Sequence, residues 1–106
     1  MLWHERMEKV IEEQLVEWDD KKAAINFQKH GVSFETAALV FADENRIERR
    51  DKKHSQDEER WQVIGMVEDV LFVVYTERGE AVRLITARAA TPNERREYYD
   101  CATSYL

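Results

Sequence analysis

Hydrophobic residues at the start of the chain recur at the spacing of a helix. The stripe consists of Trp3, Met7, Val10 and Ile11, which lie mostly three or four positions apart. This spacing predicts a helical extension over residues 1–14. Because the stripe is narrow, the extension either docks on the rest of the protein or frays from it.

Capping residues divide the next part of the chain into two short helices. Asp19 or Asp20 is placed to cap a helix over residues 21–30. Gly31 follows where a helix commonly ends in the left-handed conformation. Ser33 can cap a second helix, so a tight turn would join the two.

Strand patterns occupy most of the remaining chain. A short strand is expected at residues 15–18 and an edge strand at about residues 45–50, which lie in the most charged segment. Residues 61–66 alternate, whereas residues 70–76 are apolar almost throughout, as in a strand covered on both faces. Residues 81–87 form the partner strand after a hairpin tip that contains glycine.

The clearest local signal lies near the C-terminus. Thr91, Pro92 and Glu94 form a capping box that predicts a final helix to about residue 103. The order of elements predicts an α+β domain over residues 15–106, with a small antiparallel sheet and the helices packed on one face.

Strict alternation divides the side chains of the last strand between two faces. One face would carry Val82, Leu84, Thr86 and Arg88, and the other Arg83, Ile85 and Ala87. Arginines on a face turned away from the helices could bind a phosphodiester by charge-assisted hydrogen bonds. The alternative is that each arginine pairs with a cross-strand carboxylate such as Glu77.

The composition is that of one small domain. The chain has 106 residues, of which 43% are apolar and 36% are charged. Its longest apolar run is far shorter than the ~20 residues that cross a bilayer, and no secretory signal is visible at the N-terminus. The single Cys101 cannot form an internal disulfide. We therefore expect a cytoplasmic protein that does not contact membranes.

The charges are unevenly distributed. The net charge is −6, which disfavours binding of bulk nucleic acid by the chain alone. Residues 78–96 nevertheless hold five Arg against two Glu, a local charge of +3. The planar guanidinium of arginine can form two parallel hydrogen bonds with a phosphate or a carboxylate. The alternative is an ordinary solvated surface in which these arginines pair with nearby carboxylates.

Few residues suggest chemistry on their own. The three histidines are not at metal-ligand spacing, and no nucleotide-binding loop or hydrolase elbow is present, so we expect neither a metal nor a cofactor. His30 is placed to end its helix. His54 lies in the charged loop and is a candidate general acid or base, because the ordinary pKa of histidine lies near neutrality.

Several segments together resemble the BrnT family, in order and over roughly residues 15–101. They are EWD at 17–19, KHGVSF at 29–34, HS at 54–55, EERW at 58–61, IG at 64–65, VVYTERG at 73–79 and RLITAR at 83–88. The chain departs from the usual family pattern at Ala89, where a second cation is expected, and at Thr86, where serine is usual.

The BrnT family comprises toxins of type II toxin–antitoxin modules. The resemblance implies a RelE-like fold and a metal-independent ribonuclease that arrests translation. It also implies a BrnA-like ribbon-helix-helix antitoxin that neutralises the toxin, contacts operator DNA and represses the operon with it. Whether the protein forms a dimer or a heterotetramer is left open. The alternative is a non-catalytic module of the same fold that only binds the antitoxin.

Such a nuclease helps the 2′-hydroxyl of RNA to attack the adjacent phosphate. We assign proton transfer to His54, with Glu77 as an alternative base, and stabilisation of the transition state to Arg83 and Arg88. The residues expected to hold the RNA backbone are Lys29, Arg60 and Arg78.

Overall fold

The computed structural model describes residues 6–11, 13–53 and 58–103. In this part of the chain, the elements are β1 Arg6–Ile11, β2 Gln14–Asp19, α1 Asp20–His30, α2 Phe34–Ala38, a 3-10 turn Leu39–Ala42, β3 Ile47–Arg50, β4 Arg60–Val67, β5 Asp69–Arg78, β6 Ala81–Ala89 and α3 Pro92–Thr103. None of the helices described here is long and apolar enough to cross a membrane.

The strands of the described chain form one sheet in the order β1-β2-β6-β5-β4-β3. Neighbouring strands are antiparallel except β2 and β6, which are parallel. The β4–β5 and β5–β6 hairpins turn at Glu68 and Gly79, which both have positive φ, of 61° and 60°. The predicted α+β class with a largely antiparallel sheet is therefore confirmed.

Helices cover both faces of the sheet. On the face that we call the α1 face, α1, α2 and the 3-10 turn cover a core that includes Trp18, Phe34 and Val73. On the opposite face, the α3 face, Tyr98 packs with Phe72 and its neighbours. The helices thus do not all pack on one face as expected, because β5 is apolar on both sides and α3 covers its second side.

The predicted helix ends are confirmed. The side chain of Asp19 accepts hydrogen bonds from the backbone at the start of α1, and Gly31 ends that helix with φ of 73°. The Ser33 hydroxyl caps α2. At α3, Thr91 and Glu94 exchange the two hydrogen bonds of a capping box.

The predicted helix over residues 1–14 is wrong where the structure describes it. Residues 6–11 form β1, which pairs in antiparallel register with β2. The hairpin turns at Glu13, whose φ is 68°, and Ile11 packs against the core. Pairing with β2 satisfies the backbone hydrogen-bonding groups on one side of this edge strand, and this tertiary contact outweighs a weak helical pattern.

A bulge changes which residues of β6 share a face. Tyr75 lies opposite Leu84 and Val74 opposite Thr86, so Ile85 is the extra residue. Val82, Leu84 and Ala87 consequently belong to the core under α1 and α2. Strict alternation was therefore the wrong prediction, and Arg83 and Arg88 share the α3 face.

A polar cluster attaches α3 to the sheet. Asp43 Oδ2 accepts hydrogen bonds from the Tyr98 hydroxyl at 2.6 Å and from the Met66 amide at 2.7 Å. Burial opposes ionisation of Asp43, but these hydrogen bonds outweigh it and hold the pKa of the carboxyl below its usual value. Arg95 adds an ion pair with Asp69 at 2.6 Å.

Candidate functional site

A groove of about 460 Å³ opens on the α3 face, between the strands and the start of α3. Its floor is apolar and is formed by Phe72, Val74 and Ile85. Of the described residues, the cations that line it are Arg49, Arg60 and Arg88, against the carboxylates Asp51 and Glu94. The groove therefore combines positive charge with an apolar surface, although the chain as a whole is acidic.

Arg88 lies over the floor of the groove. Its guanidinium lies 4.1 Å from the centre of the Phe72 ring. Nη1 and Nη2 donate to the two carboxylate oxygens of Glu94 at 2.7 and 3.0 Å, and Nη1 also donates to the Ala89 carbonyl at 3.1 Å. Within the described chain, these bonds leave Nε–H and one Nη2 hydrogen for a ligand.

Glu94 connects Arg88 to the start of α3. Besides the arginine, it accepts a hydrogen bond from the Thr91 amide at 2.9 Å. Burial opposes ionisation of Glu94, but the hydrogen bonds from Arg88 and Thr91 outweigh it and lower the pKa of the carboxyl. The carboxylate is consequently charged near neutral pH and orients the arginine.

A second chain of polar contacts crosses the other side of the groove. Glu97 on α3 accepts a short hydrogen bond from Arg49 Nη1. Arg49 Nε in turn donates to Gln62 Oε1 at 2.8 Å. Residues of α3, β3 and β4 therefore fix the orientation of the Gln62 amide.

Arg60 lies at the end of the groove where β3 and β4 meet. Its carbonyl accepts a 2.7 Å hydrogen bond from the amide of Asp51, whose side chain is buried. The loop between these two residues contains His54, which lies outside the described residues. The position of the predicted proton-transfer residue relative to Arg60 and Arg88 therefore stays a prediction.

Arg83 and Arg78 lie on the α3 face but do not line the groove. Arg83 Nε is 3.5 Å from Oε1 of the buried Glu17, an ion pair without hydrogen-bond geometry. Arg78 is more exposed and lies 3.5 Å from Glu58. Both arginines pair with carboxylates, as the alternative interpretation of the sequence expected, although the partners are not Glu77.

Glu77 and Lys29 are separated from these arginines. Glu77 lines an acidic pocket of about 380 Å³ on the α1 face, together with Glu44, Glu48 and Arg46 among others. In this pocket the Tyr75 hydroxyl donates to Glu48 at 2.6 Å. Burial and the nearby carboxylates raise the pKa of Tyr75. Lys29 is exposed in the last turn of α1, so the structure brings neither residue to Arg88.

Sequence reasoning missed three contributors to the groove. The sequence pattern places Arg49 and Gln62 only in strands, and it indicates only a capping role for Glu94. The charged edge strand was the available signal for Arg49, but its partners come from distant segments. Among the described residues, no three His, Cys, Asp or Glu side chains are grouped as metal ligands would be.

The fold and the groove define a small α+β protein with an arginine-lined sheet surface that suits anionic ligands. The chain belongs to the BrnT family, because the model of the ribonuclease toxin BrnT of type II toxin–antitoxin systems matches residues 18–94. The resemblance seen in the sequence is thereby confirmed, and the chain is a ribonuclease toxin of a type II toxin–antitoxin system.

The fold is also similar to a solved structure. The crystal structure of the Brucella abortus ribonuclease toxin BrnT matches with a TM-score of 0.52 and 22% sequence identity. The match covers 70% of this chain and 92% of that chain, and it supports the fold. No curated protein sequence matches the chain.

Proposed function

We propose that the groove on the α3 face is the site where this toxin binds and cleaves RNA. The observation that carries the proposal is the grouping of Arg49, Arg60 and Arg88 around an apolar floor on a chain of net charge −6. Phosphates bind to guanidinium groups, and bases stack on apolar or guanidinium surfaces. The groove offers both within the space of about one nucleotide.

In the proposed mechanism, the 2′-hydroxyl of RNA attacks the adjacent phosphate without a metal ion. Arg88 and Arg60 bind the non-bridging oxygens and stabilise the charge that develops in the transition state. His54 transfers the proton, because the reaction needs a group that titrates near neutral pH. We leave Glu77 and Lys29 out of this site, since they lie away from Arg88.

Arg83 receives a different role in this proposal. Its pairing with the buried Glu17 joins β6 to β2, where the two residues are register partners. We therefore assign Arg83 to the stability of the parallel strand pair. Arg78, at the exposed end of β5, would at most extend the path of the RNA backbone.

The test is cleavage of single-stranded RNA by the purified protein in the presence of a metal chelator. Arg88→Ala, Arg60→Ala and His54→Ala should each lower the cleavage rate by about 10²–10³-fold. Arg96→Ala is the matched control, because Arg96 is an exposed arginine of α3 that bonds to Asn93. If all three variants are folded and cleave like the parent, the proposed site is wrong.

The same proposal extends to the cell. The toxin would act in the cytoplasm, arrest translation by cleaving RNA, and be neutralised by a ribbon-helix-helix antitoxin with which it represses its operon. Because the toxin is acidic, the antitoxin would supply the contacts with operator DNA. The complex should retard operator DNA in a gel, whereas retardation by the isolated toxin would contradict this division of roles.

A second candidate function is a module that binds the antitoxin without cleaving RNA. The observation that favours it is that Arg88 and Arg49 already pair with Glu94 and Glu97, which neutralise part of their charge. The cleavage assay separates the two candidates. RNA that stays intact with the parent protein, under conditions where it binds the antitoxin, would favour the second.

A further inference from the structure

The amide of Gln62 has a fixed orientation in the groove. Arg49 Nε lies 2.8 Å from Oε1 of this side chain and donates to it. A guanidinium carries donors only, so the atom that faces it must be the amide oxygen. The amide nitrogen therefore points away from Arg49, and the part of the amide that faces away from Arg49 carries two hydrogen-bond donors.

A residue of α3 also stabilises this orientation of the Gln62 amide. Arg49 also donates to Glu97 of α3, so the guanidinium cannot turn away from Gln62 without losing a charge-assisted bond. Rotating the amide by half a turn would place its NH₂ group against the guanidinium. The preference for one orientation is thus built into the contacts among α3, β3 and β4.

The amide lies beside the surface on which a base would rest. Gln62 is the register partner of Val74, which forms the floor of the groove with Ile85. Cross-strand partners have Cβ atoms about 5 Å apart. A planar base lying on this floor would consequently present an edge to the amide nitrogen.

We propose that Gln62 determines base specificity by selecting purines that present a carbonyl oxygen, so that guanine is preferred over adenine. The inference rests on the proposed binding of RNA in the groove. Guanine presents O6 and N7 as adjacent acceptors, which match a group with two donors. Adenine presents its N6 amino donor beside N7 and would place a donor against the amide nitrogen.

The probes are short 2′-O-methyl oligonucleotides that resist cleavage and carry the same base at every position. Inosine retains the O6 and N7 atoms of guanine, so the comparison is between an all-inosine and an all-adenine tetranucleotide. Because every position is the same, the result does not depend on which nucleotide enters the groove. Binding is measured by fluorescence anisotropy, and cleavage of the unmodified RNAs is measured in parallel.

The parent protein should bind the inosine oligonucleotide about fivefold more tightly than the adenine one, the size expected for one hydrogen bond. Gln62→Ala should make the two affinities equal. Gln62→Glu can still accept from Arg49 but presents an oxygen to the base, so it should remove or invert the preference. Gln28→Glu, on exposed α1, adds the same charge away from the groove and should retain the preference.

Two outcomes would overturn the inference and distinguish it from the proposed function. Equal binding of the two oligonucleotides by the parent, or an unchanged preference in Gln62→Ala, would refute the role of Gln62 while RNA binding stands. If neither oligonucleotide binds and neither unmodified RNA is cleaved, the proposed function fails together with the inference.

Discussion

The side-chain amide of Asn26 hydrogen-bonds to both backbone polar groups of Ala87, which lies 61 positions further along the chain. Asn26 Nδ2 donates to the Ala87 carbonyl at 2.9 Å, and the Ala87 amide donates to Oδ1 at 3.0 Å. The parallel pairing of β2 with β6 spans only Ala81 to Arg83 of β6. A side chain of α1 therefore replaces the missing strand partner further along β6.

Replacing Asn26 with alanine should destabilise the protein severely. The substitution leaves a buried N–H and a buried C=O of Ala87 without partners, at a cost of about 2–4 kcal/mol in the free energy of unfolding. Urea denaturation of the parent and Asn26→Ala would measure this cost. Gln28→Ala, two residues further along the same helix but exposed, should change the stability by less than about 0.5 kcal/mol. Equal effects of the two variants would contradict the strand-replacing role.

The sequence predicts the helix ends of this fold well because their signals are local. Asp19, Gly31 and Ser33 act on backbone groups within three or four residues of themselves. The same holds for the capping box that starts α3. The interactions that end these helices lie within short segments, so the helix ends can be predicted without the tertiary structure.

Features that depend on distant partners could not be predicted in this way. The strand β1 forms because its backbone can pair with β2. The parallel pair of β2 and β6 joins segments that are far apart in the chain. The bulge at Ile85 arises between two strands and reverses the face of Arg88. The geometry of the candidate site could not be predicted for the same reason, since the partners that orient Arg88 and Gln62 come from other elements.

Gly65 should not tolerate a side chain. A Cβ at this position would lie 3.0 Å from the Cβ of Val40 and 3.4 Å from the Val40 carbonyl oxygen. Val40 is fully buried, so it cannot move aside without disturbing the core. Gly65→Ala should therefore cost about 1–3 kcal/mol in urea denaturation.

Gly79 provides the comparison for this prediction. It has a positive φ of 60°, but a Cβ there would meet nothing within 4 Å. Asparagine is one of the residues that adopt this left-handed conformation most readily, so Gly79→Asn should cost less stability than Gly65→Ala. If Gly65→Ala is as well tolerated as Gly79→Asn, the close approach of β4 to the 3-10 turn is not tight.

The contact between Asp43 and Tyr98 should make stability depend on pH in acid. The pKa of Asp43 is lowered below its usual value of 3.8 in the folded protein. The ionised carboxylate therefore stabilises the fold fully above the usual pKa of an aspartate. This contribution to the free energy of unfolding is lost as the pH falls through the lowered pKa of Asp43. Tyr98→Phe removes one hydrogen bond to the carboxylate, so the variant should lose about 1 kcal/mol near neutral pH.

The difference in the free energy of unfolding between Tyr98→Phe and the parent should become smaller as the solution is made more acidic. Protonation of Asp43 weakens the same hydrogen bond in the parent. Urea denaturation at neutral pH and again near pH 3 would show this. In an Asp43→Asn background, the effect of Tyr98→Phe should no longer vary with pH. A difference that is constant with pH in the parent background would refute the coupling.

Glu94 should support catalysis through Arg88 and not only through the start of α3. Glu94→Gln retains an acceptor for the Thr91 amide, but it loses the second charged oxygen that holds the guanidinium. Thr91→Ala removes the other bond of the capping box and does not touch Arg88.

Both variants should lower the free energy of unfolding by about 1 kcal/mol. Only Glu94→Gln should lower kcat for RNA cleavage, by about tenfold, because a released Arg88 no longer holds the transition-state geometry. KM should stay unchanged or fall, since the groove loses a negative charge. A higher kcat in Glu94→Gln would mean that Glu94 competes with the phosphate for Arg88 and does not position it.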